Sequence, residues 1–225
     1  MIDLANINYL GIDRILKRGT GEIMASCENA ILVRDKVSNA YFLACEDEES
    51  GRIFLEQYID QNCNLLMVSN LNLGRIAFEK YGFSEKMECF QVAYYGVLPV
   101  IDTKILVRVA EMKDVSLLIQ TYDLISPEEM TEIVKRGNLL LGYYENQLVG
   151  FVGEHLEGSM GLLHIFPEFR RKGFATIIEK IYISKTLEKG FIPFGQVEKS
   201  NLKSLNLQKK IGMTQSDNLI CWMWK

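Results

Sequence analysis

The stretch HIFPEFRRKGFATIIEK, residues 164–180, decides how the chain is read. An apolar run of strand character stops at Pro167, and Arg170, Arg171, Lys172 and Gly173 then lead into an amphipathic helix pattern. A helix start already carries the positive end of the dipole, so cations there are unfavourable unless an anion joins them. Gly173 lets a ligand approach the backbone, small Ala175 leaves room for it, and the N–H groups of 171–176 can point at phosphate oxygens. Pyrophosphate is the natural guest; a solvated basic helix start is the plainer alternative.

Working outward, 225 residues with 48% hydrophobic side chains suit one large or two modest domains with an ample core. A net charge of -4 argues against broad attraction to nucleic acid or an anionic membrane, so any basic patch is local. Cys27, Cys45, Cys63, Cys89 and Cys221 are odd in number and widely spaced, which suggests buried thiols of a reducing compartment rather than disulfides or zinc. With no basic leader and no apolar run near the roughly 18 residues of a membrane span, the expected location is cytoplasmic. No metal is expected. The motif G-x-x-x-x-G-K-[ST] of the phosphate-loop NTPases does not occur.

Hydrophobic patterning alternates strands and helices. AILVRD, NAYFLACE, NLLMVSN and MECFQVAYYG read as strands, ESGRIFLEQYIDQ and LNLGRIAFEKYGF as helices. VLPVIDTK, with Pro99, separates them from a second series, so a boundary is expected near residues 97–103, giving domains 1–97 and 103–225. The second series runs strand ILVRVAE, helix MKDVSLLIQTYDLI, helix SPEEMTEIVKRG opened by Ser126-Pro127, then strands NLLLGYYEN, LVGFVGEHL and SMGLLHIF, the last two joined by a Glu157-Gly158 turn. Helix RKGFATIIEKIYISKTLEKG, strand FGQVEK, helix NLKSLNLQKKIG and strand LICWMWK complete it. MVSNLNLGRIAFEKYGF resembles QVEKSNLKSLNLQKKIGM, a weak internal repeat whose glycines Gly82 and Gly212 suit helix C-termini. Nothing in residues 1–97 corresponds to RRKGFA, so only the second half is equipped for an anion.

LHIFPEFRRKGFA resembles the acyl-CoA motif of the GNAT acyltransferase superfamily, a strand, a proline and Arg/Gln-x-x-Gly-x-Gly/Ala, met by Arg170, Gly173 and Ala175. VEKSNLKSLNLQKKIGM is similar to the second signature of that superfamily through Asn201, Ser204, Lys210, Gly212 and Met213. PEFRRKG, GFIPFGQVEKSN and CWMWK look most like the glycine N-acyltransferase-like branch. The clear resemblance covers residues 103–225. It implies an α/β, tandem GNAT-like fold with a central mixed sheet, splayed strands and flanking helices, the first half being a degenerate copy. It also implies transfer of an acyl group, usually acetyl, from acyl-CoA (acetyl-CoA most simply) to an amine on a small molecule or peptide, by a monomer or homodimer. On this resemblance Leu163, His164 and Ile165 pair with pantetheine and polarise the thioester, Arg170, Arg171, Lys172, Gly173, Phe174, Ala175 and Thr176 surround the pyrophosphate, and Asn201 and Ser204 flank the pantetheine arm.

An amine must lose a proton to attack, so a base is expected near the hairpin, with Glu157, Glu154 and His164 as candidates. Alignment back from Pro167 places Ser159 where the branch has its glutamate, two residues from Glu157. Glu157 also suits a plain turn, His164 a packed strand, and His155 with His164 makes a poor metal site. The superfamily commonly protonates the leaving thiolate with a tyrosine after Leu207, where this chain has Gln208. Another donor, an unprotonated thiolate or weak catalysis remain, so an acyl-CoA sensor is the rival to an enzyme. Trp222 and Trp224, alternating on one strand face, suit core packing, with an acceptor pocket as the other reading.

Overall fold

A computed structural model describes residues 2–225. By its contacts the chain forms two units, one of residues 2–93, Gln196–Asn206 and Thr214–Lys225, the other of Tyr94–Gly195 and Leu207–Met213. The units interleave in sequence, and residues 2 and 225 both lie in the first.

In the first unit, α1 (Leu10–Lys17) precedes β1 (Gly21–Ser26), β2 (Ala30–Asp35) and β3 (Tyr41–Cys45), an antiparallel meander. The helix α2 (Glu48–Tyr58) crosses to β4 (Leu65–Val68), parallel to β3, and α3 (Leu71–Lys80) leads to β5 (Glu85–Ala93). The last strand of the chain, β11 (Thr214–Trp224), lies between β4 and β5 and is antiparallel to both. Buried apolar side chains cover both sheet faces. Leu55, Leu73 and Ala77 pack with Leu43, Leu66 and Cys221 on one side, and Ile12 and Ile15 with Phe42, Met67 and Trp222 on the other. Trp222 meets Phe42 edge to face at 5.3 Å, so it is a core residue.

The second unit holds β6 (Leu106–Val109), β7 (Leu139–Tyr144), β8 (Gln147–Glu154) and β9 (Met160–Ile165), all antiparallel neighbours. Between β6 and β7 lie α4 (Val115–Thr121) and α5 (Pro127–Lys135), the latter opened by the Ser126 hydroxyl, which accepts from the Glu129 N–H at 3.1 Å. The helix α6 (Phe174–Glu188) leads to β10 (Phe194–Glu198), whose first two residues belong to this unit and whose Gly195 pairs parallel with Met160 of β9; of α7 (Leu202–Ile211), Leu207–Ile211 belong to this unit and Leu202–Asn206 to the first.

Three expectations are adjusted. The α4 helix ends at Thr121, because Tyr122 turns extended, and its first residues form a 3-10 turn. The α6 helix starts at Phe174, not Arg171, because Gly173 at φ +84 is its left-handed N-cap. The terminal strand spans 214–224 and packs in the first unit. Also, α1 and β1 were absent from the patterning, which began its strands at Ala30. Gly82 and Gly212 are left-handed at φ +71 and +95, as helix ends require.

Candidate functional site

The connection from β9 to α6 spans residues 166–173 and carries the cations. Its geometry depends on two left-handed residues, Arg171 at φ +62 and Gly173 at φ +84. For arginine that conformation is strained, and such strain persists where surroundings or a ligand impose it. No side chain caps the α6 start, so the N–H groups of Phe174, Ala175 and Thr176 have no intrahelical acceptor. A Cβ on Gly173 would meet nothing within 4 Å, which leaves the approach open. Arg171 and Lys172 are exposed, and the Lys172 ammonium lies 5.4 Å from the Phe169 ring centroid. Arg170 differs from the other two: its Nε donates to the Ile165 carbonyl at 2.9 Å, bracing the loop. In the first unit the equivalent crossover is short and acidic, with Glu46 and Asp47 before α2 and Glu48 and Glu49 in its first turn. A phosphate would be repelled there.

The β9 strand contains a feature the sequence did not signal. Phe151 pairs with His164 and Gly153 with Gly161, so Val152 faces both Leu162 and Leu163, a β-bulge with Leu162 at φ +56. On its other edge β9 registers with β10 only at Met160 with Gly195, where a Cβ on Gly195 would meet the Met160 carbonyl at 2.6 Å. Leu163, His164 and Ile165 therefore lie on an edge with no registered β10 partner. The His164 ring stacks on Phe151 at 5.3 Å, and burial, aided by the Arg170 charge, lowers its pKa and favours the neutral imidazole.

At the opposite end of β9 the hairpin gathers titratable groups. Ser159, fully buried, donates its hydroxyl to Glu157 Oε1, and Glu157 is only 7% exposed. Burial pushes the Glu157 carboxyl above its usual pKa despite the His155 charge and the Ser159 hydrogen bond. The His155 Nδ1 lies 3.4 Å from Glu129 Oε1 of α5. Burial depresses His155, but the Glu129 hydrogen bond and the charges of Glu157 and Glu129 outweigh it and raise its pKa. Gly161 is needed beneath this ring, since a Cβ there would meet His155 Nε2 at 2.6 Å. Glu154, also buried, ends β8. Sequence reasoning reached Glu157 and Ser159 but not Glu129, which is 28 residues from Glu157.

Asn201 and Ser204 open α7 in the first unit, where Asn201 Oδ1 accepts from the Ser204 N–H at 3.1 Å. Gln208, further along α7 and in the second unit, is buried and donates from Nε2 to Glu179 Oε1 of α6 at 2.7 Å.

A profile of the family described as FR47-like protein matches residues 140–223. A solved GNAT-family putative acetyltransferase from Novosphingobium aromaticivorans superposes with a TM-score of 0.63 at 16% identity, covering 96% of each chain. The chain has the GNAT fold. A Drosophila protein superposes with a TM-score of 0.71 at 13% identity over 98% of this chain and 90% of its own. A tandem GNAT protein of the clavulanic acid biosynthesis pathway does so at 0.50 and 9% identity over 98% and 95%. No curated protein sequence matches the chain.

Proposed function

We propose that the second unit of this GNAT fold is a cytoplasmic N-acyltransferase, moving an acyl group, most simply acetyl, from acyl-CoA to the amine of a small molecule or peptide. The observation that carries the reading is the uncapped α6 start behind left-handed Gly173, with Arg171 and Lys172 beside it. Donors and cations converge there without an internal acceptor, which suits a pyrophosphate.

Acyl-CoA, as cosubstrate, supplies the thioester. The unpartnered edge at Leu163–Ile165 offers backbone N–H groups to polarise its carbonyl, an aid that acts most strongly as negative charge develops on the oxygen. Glu157, held by Ser159, takes the proton that the amine loses on attack. A raised pKa suits it for that task near neutral pH. The first 97 residues, with an acidic crossover, carry no cofactor in this reading. An acyl-CoA sensor is the second reading, favoured by Gln208, which has no acidic proton at the tyrosine position. Calorimetry with acetyl-CoA, followed by CoA release over an amine panel, decides between them: binding with turnover supports the enzyme, binding without turnover the sensor, and no binding refutes both.

A further inference from the structure

The contact between α6 and α7 leaves an unusual residue of chemistry. Glu179 and Gln208 are 5% and 7% exposed, and they share one hydrogen bond, Nε2 of Gln208 to Oε1 of Glu179 at 2.7 Å. Their other oxygens, Glu179 Oε2 and Gln208 Oε1, are both buried and both without a partner. A carboxylate would leave two buried acceptors on this one hydrogen-bonded pair unsatisfied, at a cost in desolvation that neither repays. One proton on Glu179 Oε2 removes the problem: it donates to Gln208 Oε1 and closes a two-point acid–amide pair.

We infer that Glu179 is a positioning residue that holds a proton, and that its neutral pair with Gln208 ties the last turns of α7 to the helix whose first turn is the pyrophosphate site. This rests on the acyl-CoA reading above and adds a residue to it. Glu179 lies four positions after Ala175, one turn below the anion loop on the same face of α6. Burial is the dominant influence on its proton and pushes the pKa up to about 7, opposed only by the Gln208 hydrogen bond. Tyr182, one turn on, gives its hydroxyl to the Asn138 carbonyl. The sign follows: the folded pKa lies above the ordinary 4.5, so the stabilisation is complete below that value and is lost as pH rises through about 7.

The test uses the full chain and its E179Q variant, in which an amide–amide pair can make the same two hydrogen bonds without a titrating proton. Infrared spectra at pH 6 should show a protonated carboxyl band that E179Q lacks, and acetyl-CoA affinity in the native chain should fall about tenfold from pH 6 to pH 8, as for one linked proton. In E179Q the affinity should change only by the titration of the ligand itself. No band lost in E179Q overturns the neutral pair, and equal pH dependence in both proteins overturns its link to the site. Absence of acetyl-CoA binding at every pH refutes the acyl-transfer reading and with it the link, while the infrared band still decides the protonation of Glu179.

Discussion

Gly173 tests the anion site most directly, because its left-handed φ of +84 lies in open space. A Cβ there meets nothing within 4 Å, so the substitution strains chiefly its own backbone, by about 1–2 kcal/mol. Gly173→Val should therefore stay folded yet lose acetyl-CoA binding, since the loop can no longer present its N–H groups; unchanged affinity in calorimetry would refute the assignment. Glu157 is the second residue to probe. A base acts when ionised, and burial raises this carboxyl, so activity should climb with pH along a limb above the ordinary carboxylate range. Glu157→Gln should lower kcat/KM by roughly 10²–10⁴-fold and erase that limb. A limb that survives the substitution would point to another base. The loop proposed to hold the anion stood out in sequence because its cations, glycine and alanine are contiguous. The Leu162 bulge was not, since leucine gives no sign of a positive φ, and neither was the His155–Glu129 contact, because a strand and a helix must first be brought together.

Among elements, those with local signals were readable. Ser126-Pro127 announces α5 by capping chemistry confined to four residues, and β2 and β3, buried almost continuously, show as unbroken apolar runs. The corner that joins α1, β1 and β2 depends on distant partners. Asp35, fully buried at the end of β2, accepts from Arg18 at 2.8 Å, from Thr20 at 2.6 Å and from the Ser38 hydroxyl at 2.7 Å. Burial pushes its pKa up, but these hydrogen bonds and the Arg18 charge outweigh it and hold the carboxyl below its usual value. Its contribution is therefore present above the unfolded pKa near 3.8 and lost as pH falls through the lower folded value. Asp35→Ala leaves Arg18 without its carboxylate and should cost about 3 kcal/mol. Urea unfolding at pH 7 checks this, and a loss within 0.5 kcal/mol, as at ordinary surface sites, would show that the corner is not held by the acid.

At the scale of the whole molecule, order along the chain misleads. LICWMWK was readable as a strand, and by position it belongs with the second half, yet β11 pairs with β4 and β5 of the first unit. Local patterning encodes the faces of a strand but not which distant edge it joins. Both of its faces match a buried site: Ile220, Cys221 and Met223 are 0% exposed, and Trp222 packs on Phe42. A cut at the apparent linker therefore splits a sheet rather than two independent bodies. Residues 98–225 expressed alone would carry β11 without either partner strand, an apolar strand with two free edges that invites aggregation. Residues 1–97 alone would keep β4 and β5 with the strand between them missing. Each fragment should be insoluble or molten by itself, and co-expression should recover a soluble complex in which β11 regains its pairing. A monomeric 98–225 fragment that unfolds cooperatively would show that β11 can find its own partner and that the second half folds without the first.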